Sequence, residues 1–295
     1  MTISVTTRGV TNGACTSLTR PESPYVGQVI FETDTKLQRV FLGTGWSVGH
    51  SHANAPSSIE ILIIGGGGGG ARSDANGSGA GGAGGYLEGN FSVSSGVAYT
   101  VTVGAGGLSR TSASSGMNGE NSVFSTATAI GGGGGGFGEG ATGLSGGSGG
   151  GSGPNSSGGG ASTQTNQGTL TKYANAGGTS TGLGGAGGAG GGAGSAVGNS
   201  ATNVSGRAST ITGASVVYAV GGIYQSGAGI NGTANTGNGG SGTYQNNSGA
   251  GGSGVVVIRY PETFGLASAT TGSPTVTNPT GYRVYTFTGS GSITF

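Results

Sequence analysis

The residues able to carry chemistry are few. The closest pair of metal-ligating side chains lies in Gly49-His50-Ser51-His52, where an extended backbone would send both imidazoles to one side. Three copies about a three-fold axis would place six imidazoles around one point, a geometry suited to a transition-metal ion. His50 and His52 are therefore candidate metal ligands if the chain is trimeric; in a monomer they are two solvated residues before Pro56. Acid–base or nucleophilic catalysis has less to draw on: nine carboxylates spread along 295 residues and one cysteine, Cys15. No triad can be assembled, and the expectation is a protein that is not an enzyme. Gly65 to Gly70 follow the apolar run Ile61-Leu62-Ile63-Ile64 and formally satisfy G-x-G-x-x-G. Six consecutive glycines satisfy that pattern automatically, and Ala71-Arg72-Ser73-Asp74-Ala75-Asn76 does not supply the helix that would hold a pyrophosphate. No organic cofactor is expected.

The elements that must position these residues are dominated by glycine, which makes up 76 of the 295 positions, against only 19 charged side chains and a formal charge of +1. So little charge, with no lysine or arginine cluster, argues against nucleic acid as a partner. The aliphatic runs Ile61 to Ile64 and Val255 to Ile258 are too short to cross a bilayer as helices. The start Met1-Thr2-Ile3-Ser4 lacks a charged segment leading into an apolar one, so synthesis without a signal peptide and no membrane insertion are expected. One cysteine permits no intrachain disulfide.

Short β-forming runs punctuate the glycine. Gln28 to Thr33 and Leu37 to Gly43 read as a hairpin covered by Trp46. Ser58 to Ile64, Phe91 to Val93, Ala98 to Val103, Asn121 to Phe124 with Ala127 to Ile130, Ala208 to Val220, Gly254 to Tyr260, and Gly281 to Gly289 with Ser292 to Phe295 read as further β segments, and helix is essentially absent. The glycine runs between them do not keep the strict three-residue phase of collagen, and only seven prolines are present. Flexible linkers are one remaining reading. The other is a bundle of polyglycine-II rods, left-handed with three residues per turn and no internal hydrogen bonds, whose peptide groups bond sideways to neighbouring rods. Ordering glycine is entropically costly, so one rod alone would not form; several packed together would satisfy each other's amides. Ala186 and Ala189, three apart in Gly-Gly-Ala-Gly-Gly-Ala-Gly, would lie along one edge of such a rod.

The fold class expected is thus mostly β with a polyglycine-II bundle: a β-hairpin module over 1–56, a glycine-rich domain over 57–261 with strands flanking a rod sandwich, and a closing strand pair over 262–295. Tyr86, Tyr173, Tyr218, Tyr224, Tyr244 and Phe137 interrupt the glycine singly, and each either wedges into a gap or stands on a loop as a contact residue. Tyr173, Tyr224, Tyr244 and Phe137 are the candidate contacts.

The unit Ile59 to Gly70, Gly81 to Tyr86, Tyr99 to Gly107, Asn121 to Phe124 and Gly251 to Pro261 resembles the glycine-rich domain of bacteriophage tail-fibre and related virion proteins, especially those of cyanophages. Pro24 to Trp46 is similar to a hairpin module of phage structural proteins, and Gly281 to Phe295 to the strand pair that closes such domains. The resemblance implies a homotrimeric structural protein of the virion, a tail fibre or fibre-tip adhesin whose loops touch a host glycan or protein and whose residues 1–56 attach to other virion proteins. It also fits a capsid decoration or head fibre. H-x-H pairs resemble the axial metal sites of some trimeric phage fibres. An ice- or surface-binding protein with a flat rod face is a further reading from a different class.

Overall fold

The computed structural model describes residues 13–35, 37–47, 50–51, 55–156, 158–180, 185–195 and 204–295. Within them the chain is all β and extended backbone, with no helix and no sheet closed into a barrel. It divides into two compact units, one carrying the residues up to Ala55 with Thr263–Leu266, the other Pro56–Glu262 with Ala267–Phe295.

The smaller unit is a four-stranded sheet, Gly13–Cys15, Val29–Glu32, Leu37–Val40 and His50–Ser51, in that order. The hairpin expected from the sequence is its centre, with Val29 opposite Val40. Trp46 packs edge-on against Phe41, ring centres 5.4 Å apart, and so covers a ribbon too small to be stable bare.

In the larger unit the β-branched run Ser58–Ile64 pairs on one side with Tyr86–Ser92 and on the other with Val255–Pro261. Thr171–Tyr173 extends this sheet at one edge, and Tyr282–Phe287 with Thr275–Thr277 at the other. Alternation sends Ile59, Ile61 and Ile63 to one face and Leu62 and Ile64 to the other, and all five are buried. A second sheet, made of Ala98–Thr102, Ser122–Phe124, Ala127–Ala129, Ala269–Thr271 and Gly291–Thr294, packs on the first face. Phe91 meets Phe124 at 5.1 Å and Tyr260 meets Phe295 at 5.7 Å between the sheets. On the opposite face Leu62, Ile64, Val255, Val257 and Val284 pack with Ile211 and Tyr218 of the Arg207–Ser209 and Val216–Tyr218 hairpin.

The extended chain does not stop where the sheet ends. Ser58–Ile64 continues as a rod at 65–71, turns over 72–78, and returns as a rod at 79–85 into Tyr86–Ser92. The paired half is a ladder; the glycine half is bonded differently. Gly65, Gly68 and Ala71 donate to Gly85, Gly82 and Gly79, Gly66 and Gly69 to Glu120 and Met117, and Gly67 and Gly70 to Gly252 and Gly249. Each set is spaced by three, the period of a polyglycine-II helix. Carbonyls of the same rod accept from three further segments: Gly66 and Gly69 from Gly132 and Gly135, Gly67 from Gly107, and Gly68 and Ala71 from Gly240 and Thr243.

The rod at 65–71 therefore has six neighbours. Those six are also bonded to one another in a closed ring, 79–85 to 130–136, then 114–120, 104–107, 249–254, 237–243 and back to 79–85. This is hexagonal packing of rods. The rod at 79–85 is surrounded in the same way by 65–71, 130–136, 147–152, 188–193, 219–222 and 237–240. At about 3.1 Å per residue the seven-residue central rod is roughly 20 Å long.

None of Gly65 to Gly70 has a positive φ, so handedness is not what demands glycine there. Space is. A methyl built at Gly65 or Gly68 would overlap the backbone at Ile130 or Gly133, at Gly66 or Gly69 that at Ala105 or Leu108, and at Gly67 or Gly70 that at Asn238 or Ser241. Every side of the rod is occupied by a carbonyl. Gly66→Ala should consequently block folding or cost on the order of 3 kcal/mol. Gly289→Ala, where a methyl meets nothing within 4 Å, should stay within about 0.5 kcal/mol. Thermal unfolding of both variants checks this, and equal midpoints would contradict the packing.

Candidate functional site: the loop end of the rod lattice

The rods are joined at the end away from the sheets by loops held to one another. Arg72–Ser73, Gly242–Tyr244 and Tyr224–Gln225 form a small parallel sheet there. The Arg72 guanidinium donates to Asp74 Oδ1 at 3.0 and 3.2 Å, to the Thr111 carbonyl and to Asn247 Oδ1 at 3.4 Å, so it ties three loops together. Arg110 and Ser248 exchange backbone and side-chain bonds, and Arg110 Nε donates to the Ser115 carbonyl at 2.7 Å. Glu139 accepts from Asn76 at 3.4 Å and Asn155 at 3.2 Å, joining two more. The charged groups of this surface are thus largely engaged with each other. What it offers outward is amides, hydroxyls and aromatic rings.

Three of the four aromatic candidates lie here. Phe137 follows the rod at 130–136 and is exposed, and Tyr224 and Tyr244 stand half-buried on neighbouring strands of the small sheet. Burial, and then the closeness of Tyr244, push the Tyr224 hydroxyl above its ordinary pKa. Tyr173 is placed differently. It sits at the junction of sheet and rods, opposite Tyr86, with the two rings edge-on at 5.5 Å and the Arg207 guanidinium 3.5 Å over its own ring. Tyr86 itself is a wedge in the core: burial and a hydrogen bond to Glu88 Oε2 at 2.7 Å raise its pKa. Tyr218 is buried in the same core.

Of the histidine pair, His50 begins the strand His50–Ser51 opposite Gln38, while His52 lies outside the described residues. Among the described residues no three His, Cys, Asp or Glu side chains group as metal ligands, and no helix is long and apolar enough to cross a membrane.

A concentration of ionic groups that the sequence did not single out surrounds Glu32, which is fully buried in the smaller unit. Arg20 Nε lies 2.5 Å and Arg39 Nε 2.8 Å from its Oε1, and the Thr35 hydroxyl donates to Oε2 at 2.5 Å. Burial pushes this carboxyl up, but the bonds from Arg20, Thr35 and Arg39 outweigh it and hold the pKa at about 2. The arrangement is structural: an anion neutralised and enclosed.

Hexagonally packed glycine rods run between loops at one end and β sheets at the other. The family model of the glycine-rich domain matches residues 46–261, and the chain belongs to that family. No curated protein matches it.

Because Glu32 has a lower pKa folded than its ordinary 4.5, its stabilising contribution is complete above pH 4.5 and is lost as the pH falls toward 2. The single tryptophan, Trp46, reports on this unit. Its fluorescence should show a denaturation midpoint that falls over that window, and Glu32→Gln should lower the midpoint at pH 7 and remove most of the fall. An unchanged pH profile in the variant would contradict the assignment.

Proposed function

We propose that the protein is a non-enzymatic structural component of a phage particle, a trimeric tail fibre or fibre-tip adhesin that meets the host surface through the loop end of its rod lattice. The observation that carries this reading is the loop end itself. Loops rich in Asn, Ser, Gln and Tyr are fixed on a scaffold whose backbone hydrogen bonds continue to their bases. A surface of amides and hydroxyls with Phe137, Tyr224 and Tyr244 suits a glycan or a polar protein epitope. Weak single sites would be strengthened by three copies acting together. The resemblance of the glycine-rich unit, the hairpin module and the closing strands to virion proteins supports the same assignment. In it residues 1–56 attach to other virion proteins.

Adsorption competition tests the proposal. Purified trimers should inhibit adsorption of the parent phage, and Tyr224→Ala with Tyr244→Ala should weaken inhibition at least tenfold while leaving the melting temperature unchanged. No competition by correctly assembled trimers at saturating concentration would overturn the adhesin reading. Labelled protein found on capsids by electron microscopy would move it to the head.

A further inference from the structure

Of the interior rods, 65–71 and 79–85 are each enclosed by six others. The rod at 237–241 is not. It bonds to 65–71 through the Gly240 amide, to 79–85 through the Gly237 and Gly240 carbonyls, to 219–222 through the Gly239 amide, to 230–233 through the Ser241 amide, and to 249–252 through the Asn238 and Ser241 carbonyls. Those are five directions. The sixth belongs to the Gly239 carbonyl, which accepts no hydrogen bond although the residue is buried. Between the rods at 219–222 and 230–233, where the sixth neighbour would lie, there is an open groove of about 460 Å³ with Gly239 on its floor.

The groove walls carry the same signature. The amide and carbonyl of Gly221 on one side, and of Asn231 on the other, make no hydrogen bond, while Val220, Ile223 and Ile230 supply apolar surface. Elsewhere the molecule closes incomplete shells with asparagine side chains. Asn121 and Asn118, three apart, accept from the amides of Gly131 and Gly134 where the rod at 130–136 lacks a neighbour. No side chain does this for Gly239 or Gly221. A buried carbonyl without a donor is costly, and its regular place in the lattice specifies the shape of what would satisfy it.

We propose that this groove is a binding site for an extended glycine-bearing segment of a partner polypeptide, which docks in polyglycine-II conformation as the missing sixth rod. Recognition is by backbone: an amide of the guest donates to Gly239 O, and its other peptide groups meet Gly221 and Asn231. Side chains on the guest are excluded where it faces Gly239, for the same steric reason that makes the interior rods all but pure glycine. Four residues of each wall line the groove, so about one turn of the guest is held at three residues per turn.

The test uses the full-length ¹⁵N-labelled protein and heptaglycine flanked by lysines. Saturable shifts of the Gly221 and Asn231 amide resonances are expected. Ile230→Arg, at a side chain that is 60% exposed, should weaken binding at least tenfold with an unchanged melting temperature. Lysine-flanked heptaproline has the same left-handed three-residue geometry but no amide hydrogen, and should bind at least tenfold more weakly than heptaglycine. Absence of saturable shifts, equal binding of heptaproline, or tighter binding of maltoheptaose would each overturn the proposal.

Discussion

The hydrogen bond between one bare backbone and another, made sideways between rods, is the interaction on which the rest of this molecule depends. A polyglycine-II rod makes no bonds to itself. Its order comes wholly from neighbours: all seven amides of 65–71 donate to the closed ring of six around it, and five of its seven carbonyls accept from that ring. Each such bond contributes only about 1 kcal/mol net, against roughly 1 to 2 kcal/mol to fix each residue's backbone. The lattice is therefore cooperative by necessity. It is also anchored: several rods continue strands of the apolar sandwich, as 65–71 continues Ser58–Ile64 and 249–254 leads into Val255–Pro261. Burial of Ile59, Ile61, Leu62, Ile63 and Ile64 in the sandwich fixes where the adjoining rods begin.

This division of labour explains the composition. The sheets supply the hydrophobic core, the rods the length and stiffness, and the loops the chemical variety. Charge has little place among closely packed backbones, and the ion pairs and charged hydrogen bonds gather around Glu32 in the smaller unit, between Arg259 and Glu60 on the sheet, and at the loop end around Arg72 and Glu139. At the lattice edges the asparagine amide substitutes for a missing backbone, since its carbonyl oxygen presents the same acceptor. That is why Asn118 and Asn121 recur at the rod period.

Much of the fold was legible in the residues. The apolar run Ile61 to Ile64 meeting six glycines announced a strand passing into something other than a strand, and the spacing of Ala186 and Ala189 suggested a three-residue helix. The hairpin with Trp46 was readable from alternation and a turn. What could not be read was which rod touches which, because glycine carries no side chain to encode partners; the assignment emerges only from where each rod's flanking strand is paired. For the same reason the incomplete shell around Gly239 left no trace in the sequence. The aromatics divided by context that spacing does not reveal: Phe137, Tyr224 and Tyr244 end rods at the loop end, whereas Tyr173 pairs with Tyr86 through a strand register fixed at the sheet edge. The buried Glu32 cluster was hidden because Arg20, Glu32 and Arg39 converge only after the small sheet folds.

The glycine runs at 65–70, 79–85 and 131–136 are the interior of the molecule and not its linkers. Native-state amide hydrogen exchange of Gly65 to Gly70 measures this most directly. The lattice predicts that these amides exchange only through global unfolding, with protection equal to that of Ile61 to Ile64 in the adjoining strand. Exchange at the rate of an unstructured chain, with the strand still protected, would contradict it.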